Sequence, residues 1–228
     1  WCTRALEAHP DAPPALRAKV LTLLAGRLYS NQDDPAAAHR MLEEARALAQ
    51  AANDWGQLGW ASGFSGLNRV RANRLDEVEP FFIEALRCFQ EAGDRFGIGW
   101  AHNALGESAR LRRDYASAMA HYRDGLAAFQ ALGSEWGISL IARNTAWVEL
   151  RLGNLTAAEH GFRSAILGEL KLSRGERVAH ALVGMAAVHE KRGNPERAAR
   201  LLGASDALLE AASIHLFPVD RAEQATTL

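Results

Sequence analysis

The stretch LGESARLRRDYASAMAHYRDG, residues 105–125, decides the fold. Arg113-Asp114 supplies a turn residue and a helix-capping carboxylate, so the chain reads as helix, tight turn, helix. Past that turn, counting from Tyr115, Ala118, Tyr122 and Gly125 stand at offsets 3, 7 and 10. Small, large, small at those offsets forms one helical face. Moving outward, the pattern recurs every 40 residues, from starts at Pro35, Leu75, Tyr115, Leu155 and Pro195. The offset-3 column reads Ala38, Val78, Ala118, Ala158, Ala198, and the offset-7 column Leu42, Phe82, Tyr122, Phe162, Leu202. The offset-10 column is Ala45, Ala85, Gly125, Ala165, Ser205.

Nine residues before each start stand Gly26, Gly66, Gly106, Ala146 and Ala186. Glycine in a helix costs about 1 kcal/mol against alanine, so its return at one phase marks a close approach of two helices. Turn and cap residues precede each start, at Asp33-Asp34, Asn73-Arg74, Arg113-Asp114, Gly153-Asn154 and Gly193-Asn194. Second helices end near Asn53-Asp54, Gly93-Asp94, Gly133-Ser134 and Ser173-Arg174. Trp55-Gly56, Phe96-Gly97 and Trp136-Gly137 open the next units; the first comes one residue early, which predicts a small adjustment of that turn.

Leu105-Gly106, Arg113-Asp114-Tyr115, Ala118, Tyr122 and Gly125 together resemble the tetratricopeptide consensus. The 40-residue unit, whose long second helix runs through Phe129-Gln130-Ala131-Leu132-Gly133 into Trp136-Gly137, is similar to one variant of it. That variant forms the C-terminal sensor arm of bacterial LuxR-type transcriptional regulators with a signal-transduction ATPase module. The run Glu196–Ser205 resembles the last repeat of such arms. The resemblance implies an all-α, α-α superhelix, or solenoid, in a cytoplasmic bacterial signalling protein. We read one domain over residues 1–228: a partial repeat at 1–14, repeats at 15–54, 55–94, 95–134, 135–174 and 175–214, and a truncated tail at 215–228. Ser173-Arg174-Gly175-Glu176 departs from the pattern by lacking the Trp-Gly opening. A helix start at Pro218-Val219-Asp220 and an opening Trp1-Cys2-Thr3-Arg4 suggest a piece of a larger protein.

Composition narrows function. Of 228 residues, 48% are hydrophobic, enough for a continuous core, and 23% are charged with a net charge of -1. Nucleic-acid binders show a basic excess that displaces phosphate counterions, so no direct nucleic-acid binding is expected. No run approaches a membrane span of about 20 apolar residues. The two cysteines, Cys2 and Cys88, have no metal or disulfide spacing. The eight histidines include no pair at i, i+3 or i+4, so neither a metal nor any other cofactor is expected. Serine-nucleophile and phosphate-loop motifs are missing, so catalytic residues are expected to be none.

Stacked helix pairs bury a continuous core and leave an inner concave face, which in tetratricopeptide arrays is lined by first helices. The family phase places Trp60, Trp100, Leu140 and His180 in its innermost column. Beside these come Gly63, Asn103, Arg143, Val183, then Leu67, Glu107, Trp147, Ala187, then Val70, Arg110, Leu150, Glu190. Candidate partner-binding residues are therefore Trp60, Trp100, Asn103, Glu107, Arg110, Arg143 and Trp147. Aromatic and arginine side chains bury large area and still donate hydrogen bonds, as interface hot spots do. Tryptophans at helical spacing also pack between helices, and Trp55 and Trp136 are assigned to that role. A lining of this kind suits a protein or peptide partner or a small effector. Homodimerisation through terminal repeats is the alternative. The family's carboxylate clamp needs lysines that these columns lack. Arg69-Val70-Arg71 and Arg110–Arg113 fit helix C-termini, where the dipole favours cations.

Overall fold

A computed structural model describes residues 9, 11–31, 34–172 and 175–212. Asp33, Ser173, Arg174, Cys2 and the expected helix start at Pro218 lie outside them. The chain divides into two compact units, Trp1–Arg112 and Arg113–Leu228. Among the described residues the first unit holds α1 (Pro14–Asn31), α2 (Pro35–Ala51), α3 (Trp55–Arg71), a 3-10 turn (Leu75–Glu77), α4 (Glu79–Ala92) and α5 (Arg95–Leu111). The second holds α6 (Tyr115–Ala131), α7 (Glu135–Arg151), α8 (Leu155–Lys171), α9 (Gly175–Lys191) and α10 (Pro195–Ala212). Among the described residues there is no strand.

The 40-residue period resolves into two equal halves. Helical segments start at residues 35, 55, 75, 95, 115, 135, 155, 175 and 195, each 20 after the last. The turns repeat with the same interval. Asn53, Asn73, Gly93, Arg113, Gly133, Gly153 and Gly193 all take positive φ, between 52° and 82°. One residue later, the N–H of Asp54, Arg74, Asp94, Ser134, Asn154 and Asn194 donates to the carbonyl five residues back, each at 2.9 Å. This is the hydrogen bond that closes a helix through a left-handed residue. Asp54, Asp94 and Ser134 then accept from Gln57, Gly97 and Gly137 with their side chains, so one residue ends a helix and opens the next.

Both exceptions to the grid have local causes. α4 starts late because Pro80 has no N–H and its ring would clash with a preceding turn. A 3-10 turn spends Leu75–Glu77, and the helix resumes at Glu79 with Pro80 in its first turn, where no donor is needed. Trp55, by contrast, requires no adjusted turn. α3 begins on the grid, and only the ring is displaced, to the first helical position instead of the second. That rotates it by about 100°. Trp55 is 38% exposed and faces Arg87 rather than packing between repeats. Gly175 also starts α9 on the grid without a Trp-Gly opening.

All three scaffold columns are buried, including Ser205, whose hydroxyl donates to the Ala179 carbonyl at 3.0 Å. Gly26, Gly66, Gly106, Ala146 and Ala186 are buried as well, at equivalent places in successive hairpins. At Gly66 the reason is direct, since a Cβ there would lie 2.6 Å from the Phe82 ring. In the first unit a polar clamp joins α2, α3 and α4. Ser62 donates to Glu84 at 2.7 Å, and Arg46 reaches the same carboxylate at 2.8 Å. Arg69 lies 3.8 Å over the Phe81 ring. Its place near the end of α3 therefore reflects packing as well as the helix dipole. Burial pulls its pKa down, while Glu43 and Glu77 push it up.

Candidate functional site

In the first unit, α1, α3 and α5 are the first helices of their pairs, and α3 and α5 bring the tryptophans together. The Trp60 and Trp100 rings lie 5.3 Å apart, tilted by 53°. Phe89 meets Trp60 edge-on at 4.9 Å, and Phe82 meets Trp100 edge-on at 6.1 Å. Phe64 and Phe96 complete the cluster, at 6.3 Å and 6.2 Å from Trp60. Such tilted and edge-on contacts suit the ring quadrupoles. Trp60 and Trp100 are half-buried and Phe96 is 38% exposed, so the cluster is anchored below and open above. The two readings of the tryptophans are thus compatible: one edge packs between helices and another faces solvent.

Glycines seat these rings. A Cβ at Gly63 would stand 2.5 Å from Trp100, and Cβ atoms at Gly59 and Gly97 would stand 2.7 Å and 2.4 Å from Phe89. Any side chain at these positions would displace the floor of the cluster. Phe64 and Phe96 escaped the sequence reading, which followed one column. Their signal was Phe64 one turn after Trp60, and Phe96 one turn before Trp100.

Of the polar candidates in this unit, Asn103 is half-buried on α5, one turn beyond Trp100. Glu107 is ion-paired with Arg110. Arg110 is itself only 8% exposed, so it braces Glu107 from beneath instead of presenting its charge to a partner. In the second unit, Arg143 is half-buried on α7 and donates to Asn144 at 3.3 Å. Trp147 is 6% exposed and meets Phe162 edge-on at 5.2 Å. It belongs to a core with Ala146, Leu150, Val183 and Leu202, so its expected place on the open face is corrected to the interior. The turn-opening Trp136 packs edge-on against Phe129 at 5.7 Å. Cys88 is fully buried and burial pushes its thiol pKa up, which suits a packing residue more than a nucleophile.

Neither a scan against protein-family models nor a search of curated proteins finds a match. Solved structures do match. BtubC from P. vanneervenii aligns at 19% identity and a TM-score of 0.71, over 95% of this chain and 89% of its own. Aspartyl phosphate phosphatase F from Bacillus subtilis aligns at 12% identity and a TM-score of 0.72, over 97% of this chain and 58% of its own. A signal-transduction ATPase with numerous domains from Pyrococcus horikoshii, carrying a tetratricopeptide repeat sensor, aligns at 15% identity and a TM-score of 0.72. That alignment covers 97% of this chain and 34% of the ATPase. Identities this low speak to architecture alone, and the architecture is that of the all-α tetratricopeptide-like repeat proteins.

Proposed function

We propose that this chain is a non-catalytic binding array in a larger bacterial, cytoplasmic signalling or transcriptional regulator. Its first-helix face receives a protein or peptide partner, or a small effector. The observation that carries this reading is the aromatic cluster around Trp60 and Trp100, held by glycines yet open on one side. Likeness to a repeat sensor within a signal-transduction ATPase supports the regulator context. An occupant that binds one arrangement of the first helices better than another shifts an attached output module by that difference in affinity. A thermal-shift screen of peptides and metabolites tests it. A true occupant raises the melting temperature, and Trp100→Ala abolishes the rise. Cell extracts that never shift the melting curve count against it.

Self-association is the second reading. It is favoured by Leu16 and Leu23 of α1, which are 53% and 60% exposed. Light scattering on a chain with its native flanking sequence separates the two, since a genuine dimer persists there.

A further inference from the structure

Charge in the first unit is sorted by helix. Its first helices, α1, α3 and α5, carry seven basic residues and one acidic residue, Glu107. Its second-helix segments, α2, the 3-10 turn and α4, carry seven acidic and three basic residues. The second unit shows no such sorting, because α7 and α9 each carry two of either sign.

Internal partners account for four of the seven cations. Arg17 pairs with Glu44, Arg69 with Glu77 and Arg110 with Glu107, while Arg71 donates to the Leu28 carbonyl. Lys19, Arg27 and Arg95 are exposed and meet no carboxylate among the described residues. The repeat register brings them to the aromatic face. Leu23 and Arg27 stand 40 residues before Gly63 and Leu67, and 80 before Asn103 and Glu107. Lys19 lies one turn from Leu23, and Arg95 adjoins Phe96. The face therefore combines exposed apolar surface, open ring edges and three unneutralised cations.

We propose that the occupant of this face is an acidic peptide segment carrying aromatic or aliphatic side chains, seated on Trp60 and Trp100 with its carboxylates toward Lys19, Arg27 and Arg95. The proposal rests on the binding-face reading above and adds the chemistry of the partner. Apolar contact supplies the affinity, and the cations select sign and speed encounter. The surplus acid on the second helices repels such a segment from the opposite row, which fixes the side on which it docks.

The test uses three fluorescent peptides with one shared aromatic and aliphatic core, flanked by glutamates, glutamines or lysines. Anisotropy titrations should show the glutamate peptide binding about tenfold more tightly than the glutamine peptide, with the lysine peptide weakest. Salt should shrink this ranking, since charges more than about 10 Å apart are largely screened at 0.1 M. Lys19→Glu with Arg27→Glu, both at exposed positions, should remove the preference while leaving the fold intact. Equal binding by all three peptides, lost in Trp100→Ala, overturns the acidic partner and leaves the binding face standing. If none binds and cellular occupants ignore Trp100→Ala, the binding face itself falls. A dimer of this chain that Arg27→Glu dissociates replaces the peptide with a second copy and also overturns the proposal.

Discussion

The two units use one scaffold and fill their variable columns differently. In the first, the innermost column holds Trp60 and Trp100 over buried glycines, and the rings stay partly open. In the second, the same column holds Leu140, 7% exposed, and half-buried His180, while Trp147 turns inward onto Phe162. The columns at offsets 3, 7 and 10 are buried in both. Burial of a shared face is what stacking requires, so those positions accept only apolar or internally bonded residues. The first-helix columns answer to no such demand, and there the units diverge.

The comparison breaks most visibly at the tryptophans. Trp147→Ala removes a ring almost wholly out of water and should cost about 3–5 kcal/mol in unfolding free energy. Trp100→Ala removes a half-buried ring and should cost less, roughly 2–3 kcal/mol, because part of its surface is already hydrated. Chemical denaturation of both variants measures the difference. If Trp100→Ala proves the more damaging, Trp100 is core and the open-face description of the first unit is wrong.

Much of this was legible in the sequence. The scaffold columns and the recurrent glycines follow from periodicity, because a 3.6-residue helix must place offsets 3, 7 and 10 together. The fate of each tryptophan was not legible. Trp100 stays partly open because Gly63 and Phe82 hold it by one side, whereas Trp147 meets Phe162 in a full core. Those neighbours come from other helices, and column position alone does not rank them. Trp55 shows the same limit on a smaller scale: one residue of phase moved it from packing to exposure, while its turn stayed on the grid.

Acid should separate the units next. His189 on α9 is 5% exposed, and its Nδ1 is buried without a hydrogen-bond partner. Burial holds its pKa below the ordinary 6.5, Arg197 and Arg192 add to that, and Glu159 opposes it. Among the described residues these are the charged groups acting on it, from α10, the intervening turn and α8. The unfolded chain therefore takes up the proton first. Stability from the neutral ring is complete above pH 6.5 and declines as pH falls through and below that value. Amide exchange, corrected for intrinsic rate, should show α9 and α10 losing protection between about pH 7.5 and about pH 5.5. His189→Gln should flatten that loss. An equal loss across α1 to α5, or an unchanged loss in His189→Gln, would remove the imidazole from the explanation.

The smallest effect tests what the units share. Every turn needs a left-handed residue, and the chain supplies glycine at four of these positions and asparagine at two. Arg113, at φ 62°, is the costly choice, because a Cβ in that region crowds the following carbonyl. A Cβ at Gly93 or Gly133 would meet nothing within 4 Å, so replacement there isolates backbone strain from packing. Gly93→Ala and Gly133→Ala should each lose about 1 kcal/mol, and Arg113→Gly should gain up to about 1 kcal/mol. Equal and opposite shifts at these matched sites would place the turn energy in the 20-residue grid itself, the same whichever side chains fill the columns between. Unequal losses at Gly93 and Gly133 would instead show that the two units differ in their turns as well as in their open faces.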